Sequence, residues 1–222
     1  MLILAIDTST SAIGVAVLAA GADPVVGVEV DARAHTEKLA PLVRDTLAAA
    51  GVTPAHLTGI AVGTGPGPFT GLRVGLVTAL TLGHALGIAV HGVCSLDALA
   101  EQALAAASDD VGEVLVATDA RRKEVYWAHY ARGADGAVAV TAPAVDRPAE
   151  LADAVRSLPT VGRGPLLYPD LFPHGVGGPL DVDPGWLGQV ALRRIAAGEP
   201  MPVDPLYLRR PDALTTAERG RP

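Results

Sequence analysis

Two aspartates each end an apolar strand and precede a turn, an arrangement that can bind a nucleotide. Asp7 follows Leu2–Ile6, and Asp119 follows Val114–Thr118. A carboxylate in this position can hold a metal-bound water while the N–H groups of the turn hold a phosphate. Neither turn has the glycines that let a backbone approach a phosphate closely. Weak nucleotide contact and simple turn capping both stay open, and the candidate nucleotide residues are Asp7, Thr8, Ser9, Thr10 and Asp119.

A glycine- and proline-rich segment, residues 63–71, lies between a predicted strand and a predicted helix of residues 71–86. A phosphate loop needs a lysine and a run of free backbone N–H groups. This segment has no lysine, and Pro66 and Pro68 each remove a donor. The sequence therefore predicts a rigid mount that presents Phe69, with Thr70 as the N-cap of the helix.

The helix after this segment carries small residues at every fourth position, namely Gly71, Gly75, Ala79 and Gly83. Such a ridge lets another helix approach closely, either one in the same chain or one in another subunit. Glycine inside a helix costs about 1 kcal/mol relative to alanine, so we expect packing to compensate. Arg73 lies in the first turn, where a cation opposes the helix dipole, and we expect it to have an acidic partner within the chain or across an interface.

The sequence gives little support for a metal site or for a catalytic thiol. The six histidines never occur four residues apart, the spacing of paired metal ligands on a helix. Cys94 follows an apolar strand, which favours a small core residue over a thiol dyad with His91. The sequence therefore predicts neither catalytic residues nor metal ligands.

The elements that position these residues form two units of an α/β fold. The first unit has three strands predicted over residues 2–6, 13–20 and 25–30, and a helix that starts near Pro41. The glycine–proline segment and its helix follow, with Gly87 as the helix stop, and then a strand and a helix ending near Ala107. Three more strands follow, then a helix predicted over residues 148–158 and a last helix over residues 184–197. Each unit begins with strand, aspartate, turn and strand, and an ungapped superposition places Asp7 on Asp119 and Ile13 on Val125. This predicts a duplication, with lobes at 1–108 and 109–183 and a helix and tail at 184–222 that return to the first lobe. The tail is expected to be extended over residues 204–210 and mobile in its final residues.

Composition narrows the class of protein further. The chain has 222 residues, of which 50% are hydrophobic, and a net charge of −7, so it can bury a substantial core. The acidic balance disfavours direct binding of nucleic acid by this chain alone. A single cysteine, a start without a basic region and polar interruptions in the apolar stretch of residues 74–93 predict a cytoplasmic protein without a membrane span.

Six segments together resemble the bacterial TsaB (YeaZ) family. They are ILAIDTST from Ile3, HTEKLAPL from His35, GTGPGPFTGLRVG from Gly63, VCSLDALA from Val93, DARRKEVYWA from Asp119 and PLYLRR from Pro205. The resemblance spans nearly the whole chain. Its most specific part is GPGPFTGLR, in which Pro68 stands where the family more often has serine.

The resemblance implies an actin-like fold of the acetate and sugar kinase (ASKHA) superfamily, with two related lobes, mixed sheets and flanking helices. It also implies a non-catalytic role in making N6-threonylcarbamoyladenosine (t6A) at position 37 of tRNA. In that pathway a TsaB protein pairs with the catalytic paralogue TsaD, and the ATPase TsaE joins them. The metal-binding histidines of TsaD fall at about Ser95 and Leu99 of this chain, and neither residue can replace an imidazole.

By the same resemblance, the chain needs no cofactor of its own, ATP and metal belong to the partner subunits, and tRNA is contacted only through the complex. Free chains are expected to form a homodimer through the helices of the first lobe, where TsaD then replaces one copy. The predicted partner contacts are Leu39, Leu42, Phe69, Leu72, Arg73, Gly75, Leu76, Ala79 and Leu80. Two alternatives are a small-molecule kinase or nucleotide hydrolase that uses Asp7 and Asp119, and a metallopeptidase, which the histidine spacing disfavours.

Overall fold

Two mixed β-sheets organise the chain, whose computed structural model describes residues 1–32, 34–175 and 177–209. The first sheet contains β1 (Leu2–Asp7), β2 (Ala12–Ala19), β3 (Val25–Val30), β4 (Gly59–Gly63) and β5 (Ala89–Val93). Its order is β3-β2-β1-β4-β5, with an antiparallel meander on one side and two strands parallel to β1 on the other.

The second sheet repeats part of this plan. It contains β6 (Glu113–Asp119), β7 (Val125–Gly133), β8 (Gly136–Ala139), β9 (Ala144–Asp146) and β10 (Thr160–Val161). Strand β10 runs parallel to β6 as β4 runs parallel to β1, while β7 is antiparallel to β6, β8 and β9. The shared arrangement is the actin-like architecture that the resemblance implied.

In the described part of the chain, six α-helices flank these sheets: α1 (His35–Ala49), α2 (Phe69–Leu86), α3 (Ser95–Ala106), α4 (Asp153–Arg156), α5 (Gly164–Leu167) and α6 (Pro184–Ala196). Side chains of β1 and β2 alternate between the two faces of the sheet. Leu4, Ile6 and Val15 pack under α1 and α2. Ile3, Ala5 and their neighbours pack with α3, α6 and the second sheet, so a shared core joins the lobes.

Ion pairs reinforce the position of α6 on the first lobe. Arg193 donates two hydrogen bonds to Glu101 of α3, at 2.7 and 2.9 Å, and the same carboxylate accepts from the backbone N–H of Ala137 on β8. Arg194 pairs with Asp97 of α3 at 2.8 Å. The C-terminal helix is therefore tied to α3, and through Glu101 to the second sheet.

The starts of α1 and α2 differ from the sequence prediction. Helix α1 begins at His35 and includes Pro41, whose ring lies on the exposed face, beside solvent that can hydrate the unpaired carbonyl one turn earlier. Helix α2 begins at Phe69 with Pro68 as N-cap, because the Pro68 carbonyl already accepts a hydrogen bond from the N–H of Leu72. Thr70 is therefore not the N-cap.

Two predictions about the second lobe also need correction. The predicted helix of residues 148–158 is broken into a 3-10 turn, Pro148–Glu150, and α4, because Leu151 adopts an extended conformation and is buried in the small core around Phe172. The ungapped superposition is off by one residue, since Asp7 pairs with Gly14 whereas Asp119 pairs with Val125. The second turn is one residue shorter than the first.

Helix α2 is long and apolar enough to cross a membrane by length and composition, with a mean hydropathy of 1.3. Core helices of soluble proteins pass the same test. Here the face made by Leu72, Gly75, Leu76, Ala79 and Gly83 is buried in the first lobe. The opposite face of the helix, which includes Val77, is exposed.

Candidate functional site

The carboxylate of Asp7 is enclosed by groups of its own chain. Asp7 is 1% exposed, and its Oδ1 accepts hydrogen bonds of 2.8 Å from both the N–H and the hydroxyl of Ser9. Oδ2 accepts a hydrogen bond of 2.6 Å from the hydroxyl of Ser95. Burial raises the pKa of Asp7 above its ordinary value, although these hydrogen bonds act in the opposite direction. The carboxylate therefore serves as an internal acceptor.

The hydroxyl of Thr8 is also used inside the chain. It donates to the carbonyl of Gly71 at 2.8 Å and accepts from the N–H of Gly75 at 3.0 Å. These two helical groups lie one turn apart, so the hydroxyl is inserted between them. A Cβ added at Gly75 would lie 2.5 Å from the Thr8 hydroxyl. The glycines of α2 therefore permit close contact with the Thr8 turn.

The small-residue ridge thus faces the interior of the first lobe. This corrects the expectation that it could pack against a helix of another subunit. Gly71 and Gly75 meet Thr8, while Gly83 meets Val90 of β5, so the ridge contacts a turn and a strand of this chain and not a helix of another subunit. Ala79, at 0% exposure, lies on the same buried face. Bulky substitutions at Gly75 or Ala79 would test folding, not docking.

The glycine–proline segment uses its backbone groups to hold the first lobe together. The N–H of Thr64 donates to the carbonyl of Val93 at 2.8 Å, and the N–H of Gly65 donates to the Ser95 hydroxyl at 3.2 Å. A Cβ at Gly67 would overlap the backbone of Ser9. Tyr126 of the second lobe donates to the carbonyl of Gly67 at 3.3 Å. These contacts make the segment a rigid junction between the lobes.

Asp119 lies in a more open environment than Asp7. Its side chain is 19% exposed, its Oδ1 accepts from the N–H of Arg121 at 2.7 Å, and its Oδ2 pairs with the Arg121 guanidinium at 3.1 Å. Arg121, Arg122 and Lys123 have positive φ angles of 63°, 54° and 66°. Such conformations are uncommon for residues other than glycine. Asp119 thus caps a strained turn.

A polar cleft of about 140 Å³ lies between the two aspartate turns. It brings together Ser9, Thr10 and Asp119 of the five nucleotide candidates, whereas the structure uses Asp7 and Thr8 elsewhere. The sequence reasoning missed His35 and Arg163 as lining residues. His35 stands in one of the family motifs, and Arg163, which pairs with Asp181, has no comparable signal in the sequence.

The predicted partner contacts divide into buried and exposed groups. Five of them belong to the interior of the first lobe, which corrects their assignment to a docking surface: Leu39, Leu72, Gly75, Leu76 and Ala79. Leu42 is half-buried, and Phe69, Arg73 and Leu80 are exposed. Helical spacing identified residues of one helix but not which of its faces the sheet covers.

The exposed face of α1 and α2, hereafter the α1–α2 face, is apolar. Phe69 is 50% exposed and Val77 is 60% exposed. An apolar groove of about 430 Å³ runs beside Phe69 and Val77, and a second of about 380 Å³ continues between Val43 and Leu82. The guanidinium of Arg73 lies 4.4 Å from the centre of the Phe69 ring, in cation–π geometry. Within residues 1–32, 34–175 and 177–209, Arg73 has no acidic partner, so an acidic partner across an interface stays a prediction.

The two positions that the resemblance places near the metal ligands of TsaD make other contacts in this structure. Ser95 hydrogen-bonds Asp7, and Leu99 is fully buried in the core. The described part of the chain contains no cluster of three or more histidine, cysteine, aspartate or glutamate side chains that could hold a metal. Cys94 packs partly buried against the core, and burial raises the pKa of its thiol.

The fold and this cleft define an α/β protein of the actin-like class. A sequence profile described as "TsaD: tRNA N6-adenosine threonylcarbamoyltransferase" matches residues 25–160. The chain is 36% identical over 176 residues to the tRNA threonylcarbamoyladenosine biosynthesis protein TsaB of Escherichia coli. The aligned region covers 77% of this chain and 75% of that protein. The chain belongs to the TsaB (YeaZ) family.

The chain is also similar to two further proteins, of which the second carries the family name. An uncharacterized protein of Mycobacterium tuberculosis is 45% identical over 97% of this chain and 95% of its own length. The structure of YeaZ from Pseudomonas aeruginosa superposes with a TM-score of 0.81 and 33% identity, over 93% of this chain and 99% of that one. Both the predicted family and the predicted actin-like fold are confirmed.

Proposed function

We propose that this chain is a non-catalytic accessory subunit in the synthesis of t6A at position 37 of tRNA. In this proposal it binds a TsaD subunit through the α1–α2 face, TsaE joins the pair, and tRNA is contacted only through the complex. The name of the E. coli relative supports the pathway. The cytoplasmic location follows from that pathway.

The observation that carries the accessory role is the enclosure of Asp7. A catalytic carboxylate must reach the substrate or a metal-bound water. The three hydrogen bonds from Ser9 and Ser95 occupy Asp7, and its 1% exposure leaves little access for a ligand. Because Ser95 and Leu99 cannot ligate a metal as imidazoles do, the transfer chemistry is assigned to the TsaD partner.

The α1–α2 face supports the docking part of the proposal. Its exposed side chains Phe69, Val77 and Leu80 lie on one helix at positions separated by eight and three residues, so they point to the same side. Aromatic residues and arginine are enriched at protein interfaces, and Phe69 and Arg73 already contact each other here. The same face would join two copies of the chain as a homodimer when TsaD is absent.

Reconstitution of the tRNA modification tests the role. We expect TsaD and TsaE to form t6A efficiently only when this chain is added, measured as modified nucleoside in digested tRNA. Equal formation of t6A without the chain would contradict the accessory role.

A matched pair of variants tests the docking face. Val77→Asp places a charge on the α1–α2 face, while Val138→Asp places one on β8 at a similar exposure of 56%. An unpaired charge buried at an interface costs several kcal/mol, about a hundredfold or more in affinity. We expect size-exclusion chromatography to show loss of the TsaD complex and of the homodimer for Val77→Asp alone. Intact complexes with both variants would rule out this face.

A further inference from the structure

The last described segment, Met201–Arg209, crosses from the first lobe to the second, and we refer to it as the C-terminal strap. The carbonyl of Met201 accepts a hydrogen bond of 3.1 Å from the N–H of Gly92 on β5. Further along, the N–H of Leu206 donates to the carbonyl of Thr64 at 2.8 Å. A Cβ at Gly92 would overlap the carbonyl of Pro202. The strap is therefore built into the edge of the first sheet.

Tyr207 brings the strap to the α1–α2 face. Its ring centre lies 5.1 Å from that of Phe69, with an angle of 40° between the two planes. This distance is typical of a stabilising aromatic pair. Phe69 is half exposed at the first position of α2. Within the described part of the chain, the Phe69 ring makes an aromatic contact with Tyr207 and a cation–π contact with Arg73.

Two residues after Tyr207, the strap reaches the second lobe. The guanidinium of Arg209 donates to the carbonyl of Ala120 at 2.9 Å and pairs with the carboxylate of Glu124. A charge-assisted contact that combines a carbonyl and a carboxylate is stronger than a contact between neutral groups. These contacts of Arg209 are with the second lobe and not with Phe69, so the strap is the segment that connects Arg209 with the α1–α2 face.

The strained turn of residues 121–123 explains how the second lobe receives Arg209. The turn is closed by hydrogen bonds between Ala120 and Glu124, at 3.1 Å, and between Glu124 and Arg121, at 3.0 Å. Its positive φ angles place the Ala120 carbonyl and the Glu124 carboxylate within reach of one guanidinium. Uncommon backbone conformations persist where surrounding contacts hold them and often mark functional sites. Here the turn acts as a receptor for the strap.

We propose that Arg209 is a positioning residue for partner docking: it anchors the C-terminal strap to the turn of the second lobe, so that Tyr207 holds the Phe69 ring in its docking orientation. The inference rests on the proposed function for the identity of the partner, the TsaD subunit. Arg121 of the same turn also lines the inter-lobe cleft, so the strap connects the α1–α2 face with the turn beside that cleft.

The effect on Phe69 can be measured without any partner. The chain has two phenylalanines, so NMR of the chain labelled at phenylalanine rings gives signals that are readily assigned. Phe172 is buried in the core of the second lobe and provides an internal reference. We expect Arg209→Met to move the Phe69 signals towards those of the Tyr207→Ala variant and to leave Phe172 unchanged. Unchanged Phe69 signals in Arg209→Met would overturn the proposal.

The effect on docking is measured by calorimetric titration with TsaD. If loss of the anchor lowers the docking-competent fraction to about a tenth, the dissociation constant rises about tenfold. We expect this rise for Arg209→Met and no further rise in the double variant with Tyr207→Ala, since both changes release the same strap. The matched control is Arg132→Met, which removes an arginine that bonds the carbonyls of Ser108 and Val111 away from the strap.

The outcomes separate this proposal from the proposed function. If Phe69→Ala weakens binding to TsaD while Arg209→Met binds like the wild type, the docking face stands and the strap proposal is overturned. If Phe69→Ala also binds like the wild type, the docking surface itself is wrong, and the strap has no role in docking. The Phe69 signals then still decide whether Arg209 holds this ring.

Discussion

The two aspartate turns place the same residue type in opposite environments. Asp7 is 1% exposed and accepts hydrogen bonds from Ser9 and Ser95. Asp119 remains partly exposed and pairs with Arg121 of its own turn. Both are the last residue of a strand that has a neighbouring strand on each side in a mixed sheet. The difference shows that a strand–aspartate–turn unit does not define a catalytic acid, because the elements packed around it decide what the carboxylate contacts.

The neighbouring strands explain the difference. Beside Asp7, β4 extends to Gly63, whose missing side chain leaves the space that the Asp7 carboxylate occupies, and α3 begins with Ser95 directly above it. In the second lobe, β10 has two residues and is followed by Gly162, which packs against the carbonyl of Ala117 and not against Asp119. Asp119 thus stays at the mouth of the cleft.

The largest effect is expected for Gly63→Ala, which breaks the enclosure of Asp7. The new methyl group would overlap the Asp7 carboxylate, so we expect a loss of about 4 kcal/mol in the free energy of unfolding. Urea denaturation measures this loss. The control is Gly112→Ala, where a Cβ meets nothing within 4 Å, and it should change stability by less than about 0.5 kcal/mol.

Removing each carboxylate compares the two turns directly. Asp7→Ala leaves the N–H and hydroxyl of Ser9 and the hydroxyl of Ser95 without their acceptor, which we expect to cost about 3 kcal/mol. Asp119→Ala removes a contact in a partly exposed turn and should cost about 1 kcal/mol or less. Thermal unfolding of the two variants checks the order, and equal losses would contradict the comparison.

A pH dependence follows from the raised pKa of Asp7. Its ordinary value is 3.8, and burial raises it in the folded chain. The folded state then binds a proton more tightly than the unfolded state, so the stability that Asp7 contributes is complete below 3.8 and is lost as pH rises through the folded pKa. We expect the difference in unfolding free energy between the wild type and Asp7→Asn to shrink as pH rises above 3.8. A difference that grows with pH would show that the pKa is lowered instead.

The smallest effect is expected when a nucleotide is titrated into the isolated chain and the heat of binding is measured. Since Asp7 and Thr8 are hydrogen-bonded inside the protein and Asp119 is ion-paired, we expect no measurable heat when Mg-ATP is titrated into the chain. Binding of defined stoichiometry and micromolar affinity would instead favour the kinase or nucleotide hydrolase alternative. Repeating the titration with Asp119→Ala would show whether the cleft is responsible.

Much of the first lobe could be predicted from the sequence because its signals are local. Apolar runs gave the strands β1 to β3 close to their observed bounds, and the helix stop at Gly87 agrees with its left-handed conformation. The orientation of α2 on the sheet could not be predicted from local sequence signals. Gly75 and Ala79 are as consistent with an interface as with a core, and only contact with Thr8 and the sheet decides that they lie inside.

The same limit applies to the strap. The PLYLRR motif indicated an extended segment, but nothing in the sequence indicates which residues Tyr207 and Arg209 contact. Glu124, the partner of Arg209, lies more than 80 residues away along the chain. Arg210 and the residues after it lie outside the described part of the chain, so the prediction that the final residues are mobile stays a prediction.

The sequence by itself determined the family, the α/β class and the rigid glycine–proline segment, because motifs, apolar periodicity and backbone restrictions act over a few neighbouring residues. The tertiary structure decided the rest: that Asp7 is enclosed, that α2 turns its small residues inward, and that Arg209 joins the two lobes. Each of these depends on groups brought together from distant parts of the chain, where burial and hydrogen bonding fix whether a side chain is free to bind a ligand.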